Sequence, residues 1–93
     1  MDTLVTEHPA GKKGTRVNRA SYDAYRKVIL SVVPKSQAGI AFSELPEKVK
    51  AEIAPEFLTD GERCGWWVTT VKLDLEAKGL LERFGSPQRL RRT

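Results

Sequence analysis

The C-terminal third of the chain, residues 65–93, constrains the fold most, because it predicts a helix, a stop and a hairpin in direct succession. Its first half lacks Pro and Gly after the opening glycine, and Val68, Val71 and Leu75 recur at the spacing of one buried helical face. Gly79 follows a lysine and is typical of the glycine that ends a helix in a left-handed conformation. We therefore predict a long helix that stops at this glycine.

A basic β-hairpin is predicted directly after this helix. Residues 80–84 mix apolar and charged side chains in a short run, and residues 85–87 read Gly-Ser-Pro, which is turn chemistry. Residues 88–92 then contain three arginines and a single apolar residue, Leu90. Such a hairpin would carry several cations on its second strand.

Two more helices and a short strand are predicted upstream. Ser21 and Ser43 are suitable N-cap residues, and Pro34 and Pro55 are suitable stops. A short apolar run at residues 40–42 predicts a strand that can pair with the hairpin in a three-stranded sheet. The predicted elements are helices at 21–33, 43–54 and 65–78, a strand at 40–42, and hairpin strands at 80–84 and 88–92.

The two remaining segments are predicted to lack regular structure. Residues 1–18 contain Pro, two Gly and a basic run without apolar periodicity, which predicts a flexible basic N-terminal arm and leaves 19–93 as the folded domain. Such an arm can lie along nucleic acid, or it can simply be a disordered terminus. Residues 55–64 form a connection with a turn at Asp60-Gly61, longer than the turn of a simple helix-turn-helix.

The net charge of +4 is unevenly distributed along the chain. Residues 11–35 carry +6, residues 36–65 carry −3, and residues 66–93 carry +3. Two basic ends around an acidic middle can form a surface for a polyanion, because basic side chains on phosphates release counterions. The alternative is an ordinary solvated surface with a positive tail.

Catalysis and metal binding find little support in the sequence. Cys64 is the only cysteine and His8 the only histidine, so an internal disulfide and a Cys/His metal cluster are excluded, and no glycine-rich phosphate loop occurs. We expect no enzyme, no cofactor and no metal. Ninety-three residues suffice for one small domain. Neither a membrane-spanning stretch nor an apolar leader is present, which predicts a cytoplasmic protein.

The order L-E-A-K-G-L-L-E-R, followed by a basic hairpin, resembles the recognition helix and wing of winged helix-turn-helix domains, particularly bacterial transcriptional regulators. This resemblance implies an α+β, winged helix-turn-helix-like fold with three helices, a small antiparallel sheet and a C-terminal β-hairpin wing. The chain also resembles, over nearly its full length, a family of small uncharacterised bacterial proteins with a W-W-V-T-T-V-x-L-D-L-E-A-K-G signature. That second resemblance implies a fold and no activity.

Two functions from different classes follow. The first is a small transcriptional regulator or weakly specific nucleic-acid binder with double-stranded DNA as partner. The second is a protein–protein interaction module, most simply a homodimer, because the third helix carries an apolar stripe opposite its core face. The predicted nucleic-acid contacts are Lys12, Lys13, Arg16, Arg19, Thr69, Thr70, Lys72, Arg89, Arg91 and Arg92, and the alternative interface is Trp66 with Leu73.

Overall fold

A computed structural model describes residues 2–58 and 64–93 and shows an α+β fold with three helices, two small antiparallel sheets and a C-terminal hairpin. This confirms the predicted α+β class with three helices, antiparallel pairing and a C-terminal β-hairpin. The elements are β1 (Thr3–Val5), β2 (Arg16–Asn18), α1 (Arg19–Val32), β3 (Ile40–Ala41), α2 (Leu45–Glu52), α3 (Cys64–Ala77), β4 (Leu81–Phe84) and β5 (Arg89–Arg92), with short 3-10 turns at Phe42–Glu44 and Pro55–Leu58. The predicted Asp60-Gly61 turn lies outside the described residues.

The end of α3 follows the predicted glycine stop. Gly79 has a φ of 75°, and its N–H donates to the carbonyl of Glu76 at 3.1 Å. The N–H of Leu80 reaches back to the carbonyl of Leu75 at 2.9 Å, which completes a Schellman motif. The helix stops here because the chain turns away at Gly79, in a left-handed conformation that costs glycine little. The N–H groups of Gly79 and Leu80 then satisfy two of the last helical carbonyls.

The starts of α1 and α2 differ from the prediction. Asn18 caps α1, and its side-chain oxygen accepts the N–H of Ser21 at 3.0 Å, so Ser21 is the third residue of the helix and not its cap. Asparagine is an equally strong N-cap, which is why the helix begins earlier. Ser43 lies within a 3-10 turn, and α2 starts at Leu45 without a side-chain cap.

The three-stranded sheet has the order β3-β5-β4, with all neighbours antiparallel. Ile40 lies opposite Leu90 in β5, and Leu90 in turn lies opposite Arg83 in β4. The predicted pairing of the short middle strand with the C-terminal hairpin is therefore confirmed. Leu90 is fully buried and attaches the sheet to the helices.

The N-terminal segment is not without regular structure, so that part of the prediction is wrong. β1 and β2 pair antiparallel, with Leu4 opposite Val17, and the ladder continues through the Thr6 N–H to the Thr15 carbonyl at 2.9 Å. Gly14 permits the strands to approach, because a Cβ there would lie 1.6 Å from the Thr6 carbonyl oxygen. The basic run thus forms the loop of a hairpin.

The core lies between the three helices and the inner face of the larger sheet. Val68, Val71 and Leu75 of α3 are completely buried, together with Ile29 of α1 and Val49 of α2. The predicted core face of α3 is confirmed. Among the described residues, no helix combines the length and apolar character needed to cross a membrane.

We expect Leu75→Ala to destabilise the protein by about 2–5 kcal/mol, because it removes the buried Cγ and both Cδ carbons and leaves a cavity. Chemical denaturation would measure the change. Thr69→Ala, on the exposed side of the same helix, is the control and should shift stability by less than about 0.5 kcal/mol. Equal stabilities for the two variants would contradict this core assignment.

Candidate nucleic-acid interface

Helix α3 is held by a different hairpin on each of its two flanks. The N–H of Glu7, just after β1, donates to Asp74 Oδ1 at 2.8 Å, and Arg83 Nε of β4 lies 3.5 Å from Glu76 Oε1. Asp74 and Glu76 are two positions apart, so at 3.6 residues per turn they point roughly 160° away from each other. The β1–β2 and β4–β5 hairpins therefore attach to opposite sides of α3.

Between these flanks, on the side away from the core, lie Trp66, Thr69, Thr70 and Leu73, which we call the outer stripe. Thr69 is exposed, whereas Thr70 and Leu73 are half-buried. Trp66 keeps 38% of its surface exposed and meets the Trp67 ring edge-on, with centroids 5.2 Å apart. The outer stripe is thus uncharged and partly apolar.

Asp74 anchors the β1–β2 hairpin from inside the fold. Its carboxylate has no exposed surface, and it accepts hydrogen bonds from the Tyr22 hydroxyl of α1 and from Lys78 Nζ at 2.9 Å, besides the Glu7 N–H. Lys78 also donates to the Tyr22 oxygen at 3.0 Å. A buried carboxylate needs such pairing, and here the partners come from three separate segments.

This cluster raises the pKa of two of its members. Burial raises the pKa of Tyr22, and the hydrogen bond to the Asp74 carboxylate raises it further. Burial lowers the pKa of Lys78, but its hydrogen bonds to Tyr22 and Asp74 outweigh this effect, so the pKa is raised overall. Both shifts keep the tyrosine neutral and the lysine charged, which is the arrangement that the carboxylate requires.

A second aromatic group supports the start of α3. Trp67 stacks on Tyr25 of α1 with ring centroids 5.3 Å apart, and the Tyr25 hydroxyl donates to the Phe57 carbonyl at 3.0 Å. Burial raises the pKa of Tyr25 to about 12, with a further contribution from the neighbouring Cys64. Phe57 and Leu58 pack against the core.

Lys72 is removed from the predicted set of phosphate contacts. Only 2% of its surface is exposed, and its Nζ lies 2.9 Å from Glu76 Oε2 and 4.7 Å from the centre of the Phe42 ring. The contact with Glu76 is an ion pair without hydrogen-bond geometry. The prediction that Lys72 contacts phosphate is wrong because the position of Lys72 along α3 puts it at the edge of the core face. Phe42 of the 3-10 turn covers it there.

The three arginines of β5 are directed largely at the chain's own carbonyl groups. Arg89 Nε donates to the Ala38 carbonyl at 2.7 Å, and Arg92 Nε donates to the Val33 carbonyl at 2.7 Å. Arg91 forms a two-pronged pair with Glu82, at 2.9 and 3.0 Å, and lies over the Phe84 ring. The guanidinium lowers the pKa of Glu82 through these hydrogen bonds. These arginines fasten the hairpin to the loop after α1.

The four N-terminal cations fall into two groups. Arg16 and Arg19 lie near the base of the β1–β2 hairpin, where Arg16 donates to Thr3 Oγ1 at 3.1 Å and Arg19 pairs with Asp2 at 3.0 Å. Lys12 and Lys13 lie in the loop and are exposed, and they make no ion pair with any described residue. The loop lysines are therefore the more available charges.

The loop of the β1–β2 hairpin lies directly beside the outer stripe. A narrow cleft of about 70 Å³ separates them, and its walls include Lys13 and Gly14 on one side and Thr70 and Leu73 on the other. The structure thus brings the predicted arm and helix residues together. Lys72 and the β5 arginines are not part of this group.

The described residues contain no group of three or more His, Cys, Asp or Glu side chains placed to hold a metal ion. What remains is a small α+β protein whose third helix lies between two hairpins. A family model with the description "Family of unknown function (DUF6958)" matches residues 3–90, and the chain belongs to that family. No curated protein and no solved structure gives a significant match.

Sequence reasoning missed the β1–β2 hairpin and the anchoring role of Asp74. The signal for the hairpin was present in the β-branched residues of Thr3-Leu4-Val5 and in Val17, which flank a segment rich in Pro and Gly. Asp74 gave no comparable signal. Its burial depends on Glu7, which is 67 positions away.

We expect Asp74→Ala to destabilise the protein by about 1–3 kcal/mol, because the buried Tyr22 hydroxyl and the Glu7 N–H lose their acceptor, whereas water can solvate the partly exposed Lys78. Amide exchange at Thr6 and Glu7 should accelerate more than exchange in α3, since the hairpin loses its attachment. Asp23→Ala removes an exposed carboxylate of α1 and is the charge-matched control. If both variants show the same stability and exchange, Asp74 is not the anchor.

Proposed function

We propose that this protein is a winged-helix nucleic-acid-binding module, used as a small transcriptional regulator or a weakly specific binder, that holds double-stranded DNA mainly by its backbone. The observation that carries the proposal is the outer stripe of α3, which lies partly exposed between two hairpins. A helix presented in this way has the shape needed to approach a groove of the duplex. The cytoplasmic location expected from the sequence is compatible with this role.

The order of elements supports the proposal. Helix α1, strand β3, helices α2 and α3, and then a hairpin follow one another, and β3 pairs with the last strand of that hairpin. This is the arrangement that the resemblance to winged helix-turn-helix domains implies. Shared architecture alone does not define a function, so the proposal depends also on the surface that α3 presents.

The outer stripe itself favours weak sequence preference. Arg, Asn and Gln make the strong two-pronged contacts to base edges, and none of them occurs among Trp66, Thr69, Thr70 and Leu73. Each threonine hydroxyl can make only a single hydrogen bond to a base edge, and the apolar groups can make only van der Waals contacts. Affinity would then come from phosphates, which position a protein without specifying sequence.

Cations near the stripe can supply that affinity. Arg83 is exposed on the β4 side of α3, where its partner Glu76 is already paired with the buried Lys72. Arg92 of β5 lies outside the group beside the stripe, and of its side-chain nitrogens only Nε donates to a described residue, so its terminal nitrogens are also available. Such groups remain able to contact a phosphate while the hairpin stays in place.

We expect Thr69→Glu to weaken binding to any duplex by at least about tenfold at low salt, because it puts a negative charge at the centre of the outer stripe. Fluorescence titrations with two unrelated duplexes would measure the loss. Ser31→Glu makes the same charge change on the exposed side of α1 and is the control. It should bind nearly as well as the parent.

Failure of the parent protein to bind either duplex at low salt would reject the nucleic-acid function. Equal losses for Thr69→Glu and Ser31→Glu would place binding elsewhere than on α3. A large preference for one of the two unrelated duplexes would contradict a backbone-dominated contact.

A second candidate is self-association through the same helix, and the exposure of Trp66 favours it. Large aromatic side chains at a surface are typical anchors of protein interfaces. Leu73 is half-buried beside the β1–β2 loop, so it can contribute less than Trp66. A homodimer would bury the outer stripe against a second copy.

If the homodimer forms, Trp66→Ala combined with Leu73→Ala should convert it to a monomer, since the apolar anchors would be lost. Sedimentation velocity over a range of concentrations measures this directly. Val5→Ala, which shortens an exposed side chain on β1, is the control and should leave the dimer intact. A parent protein that is monomeric at all concentrations would reject self-association.

A further inference from the structure

We propose that the β1–β2 hairpin is a second phosphate-binding arm of the same site, with Lys12 and Lys13 as its contacts. This inference rests on the proposed function. It specifies which part of the ligand the hairpin contacts, namely the sugar–phosphate backbone beside α3 on the side opposite Arg83. Basic residues on both flanks of the helix would then contact the duplex DNA.

The position of the loop is the first support. The loop borders the outer stripe, since Lys13 and Gly14 share a cleft with Thr70 and Leu73. The opposite flank is occupied by Arg83 of β4. A duplex that approaches the outer stripe would therefore meet cations on each side of α3.

The charge of the loop is the second support. Residues 8–14 read His-Pro-Ala-Gly-Lys-Lys-Gly and include no acidic residue. The nearest acid along the chain, Glu7, extends instead toward Lys78, with Oε2 and Nζ 4.0 Å apart. Neither lysine makes an ion pair with a described residue, whereas Arg91 pairs with Glu82.

The rigidity of the base is the third support. The strands pair over three positions, Thr15 N–H donates to Thr6 Oγ1 at 3.0 Å, and Thr6 itself is buried. Asp74 then fixes the hairpin to α3 through Glu7. Lysines presented from an ordered base lose less conformational entropy on binding than lysines on a disordered tail.

The chemistry of the loop fits phosphate oxygens better than bases. Lysine is a compact point charge with three rotating donors, and it binds phosphate without a directional preference. The loop contains no Phe, Tyr or Trp for stacking on a base, and its one ring, His8, accepts the N–H of Ala10 through Nδ1 at 3.0 Å. Its contribution should therefore be equal on all sequences and strongly dependent on salt.

The test is Lys12→Ala with Lys13→Ala, titrated against two unrelated duplexes at several salt concentrations. Each lost phosphate contact removes about 0.9 from the slope of log K against log salt, so we expect the slope to fall by about 1.8 on both duplexes. Both side chains are exposed, so the melting temperature should equal that of the parent.

Lys27→Ala with Lys35→Ala is the matched control, because it removes the same charge from exposed positions on and just after α1. It should leave the slope nearly unchanged. If the parent binds DNA and the two double variants lose slope equally, or neither loses any, the second arm is rejected while the nucleic-acid function stands. If the parent binds no duplex at all, the proposed function fails and this inference fails with it.

Discussion

The buried carboxylate of Asp74 is the constraint on which the arrangement around α3 depends. A charge without any exposed surface is tolerated only when each of its oxygens is paired, and the partners here are Tyr22, Lys78 and the backbone of Glu7. They come from α1, the end of α3 and the N-terminal hairpin. None of these three segments can move away without leaving a polar group buried and unpaired, which is why the hairpin keeps its place beside the outer stripe.

Arginine plays a comparable part on the other side of the molecule. Arg89 and Arg92 donate to carbonyls of the loop after α1, and Arg91 joins the two strands of the hairpin through Glu82. These contacts use the same donors that would bind phosphates. A cluster of arginines in a sequence therefore predicts many hydrogen-bond donors that need acceptors. The fold determines whether those acceptors are the chain's own carbonyl groups or the oxygens of a ligand.

The surface of α3 explains why two classes of function remain compatible with one architecture. The outer stripe combines threonine hydroxyls with the exposed part of Trp66, so it can face a duplex or an apolar partner. Charge favours the duplex, because Lys12, Lys13 and Arg83 lie on its two flanks. The absence of base-reading side chains limits what such contact can distinguish, and this is a property of the stripe itself.

Local sequence determined the three helices, the stop at Gly79 and the C-terminal hairpin, because periodicity and turn chemistry act over a few neighbouring residues. It also identified Val68, Val71 and Leu75 as core, since one helical face must be buried. Tertiary structure alone decided that the hairpin of residues 3–18 attaches to α3, that Lys72 is buried and that the β5 arginines contact carbonyls. Each of these depends on a partner far away in the chain, such as Glu7 for Asp74 or Val33 for Arg92, and burial of a charge is set by that partner rather than by its neighbours in sequence.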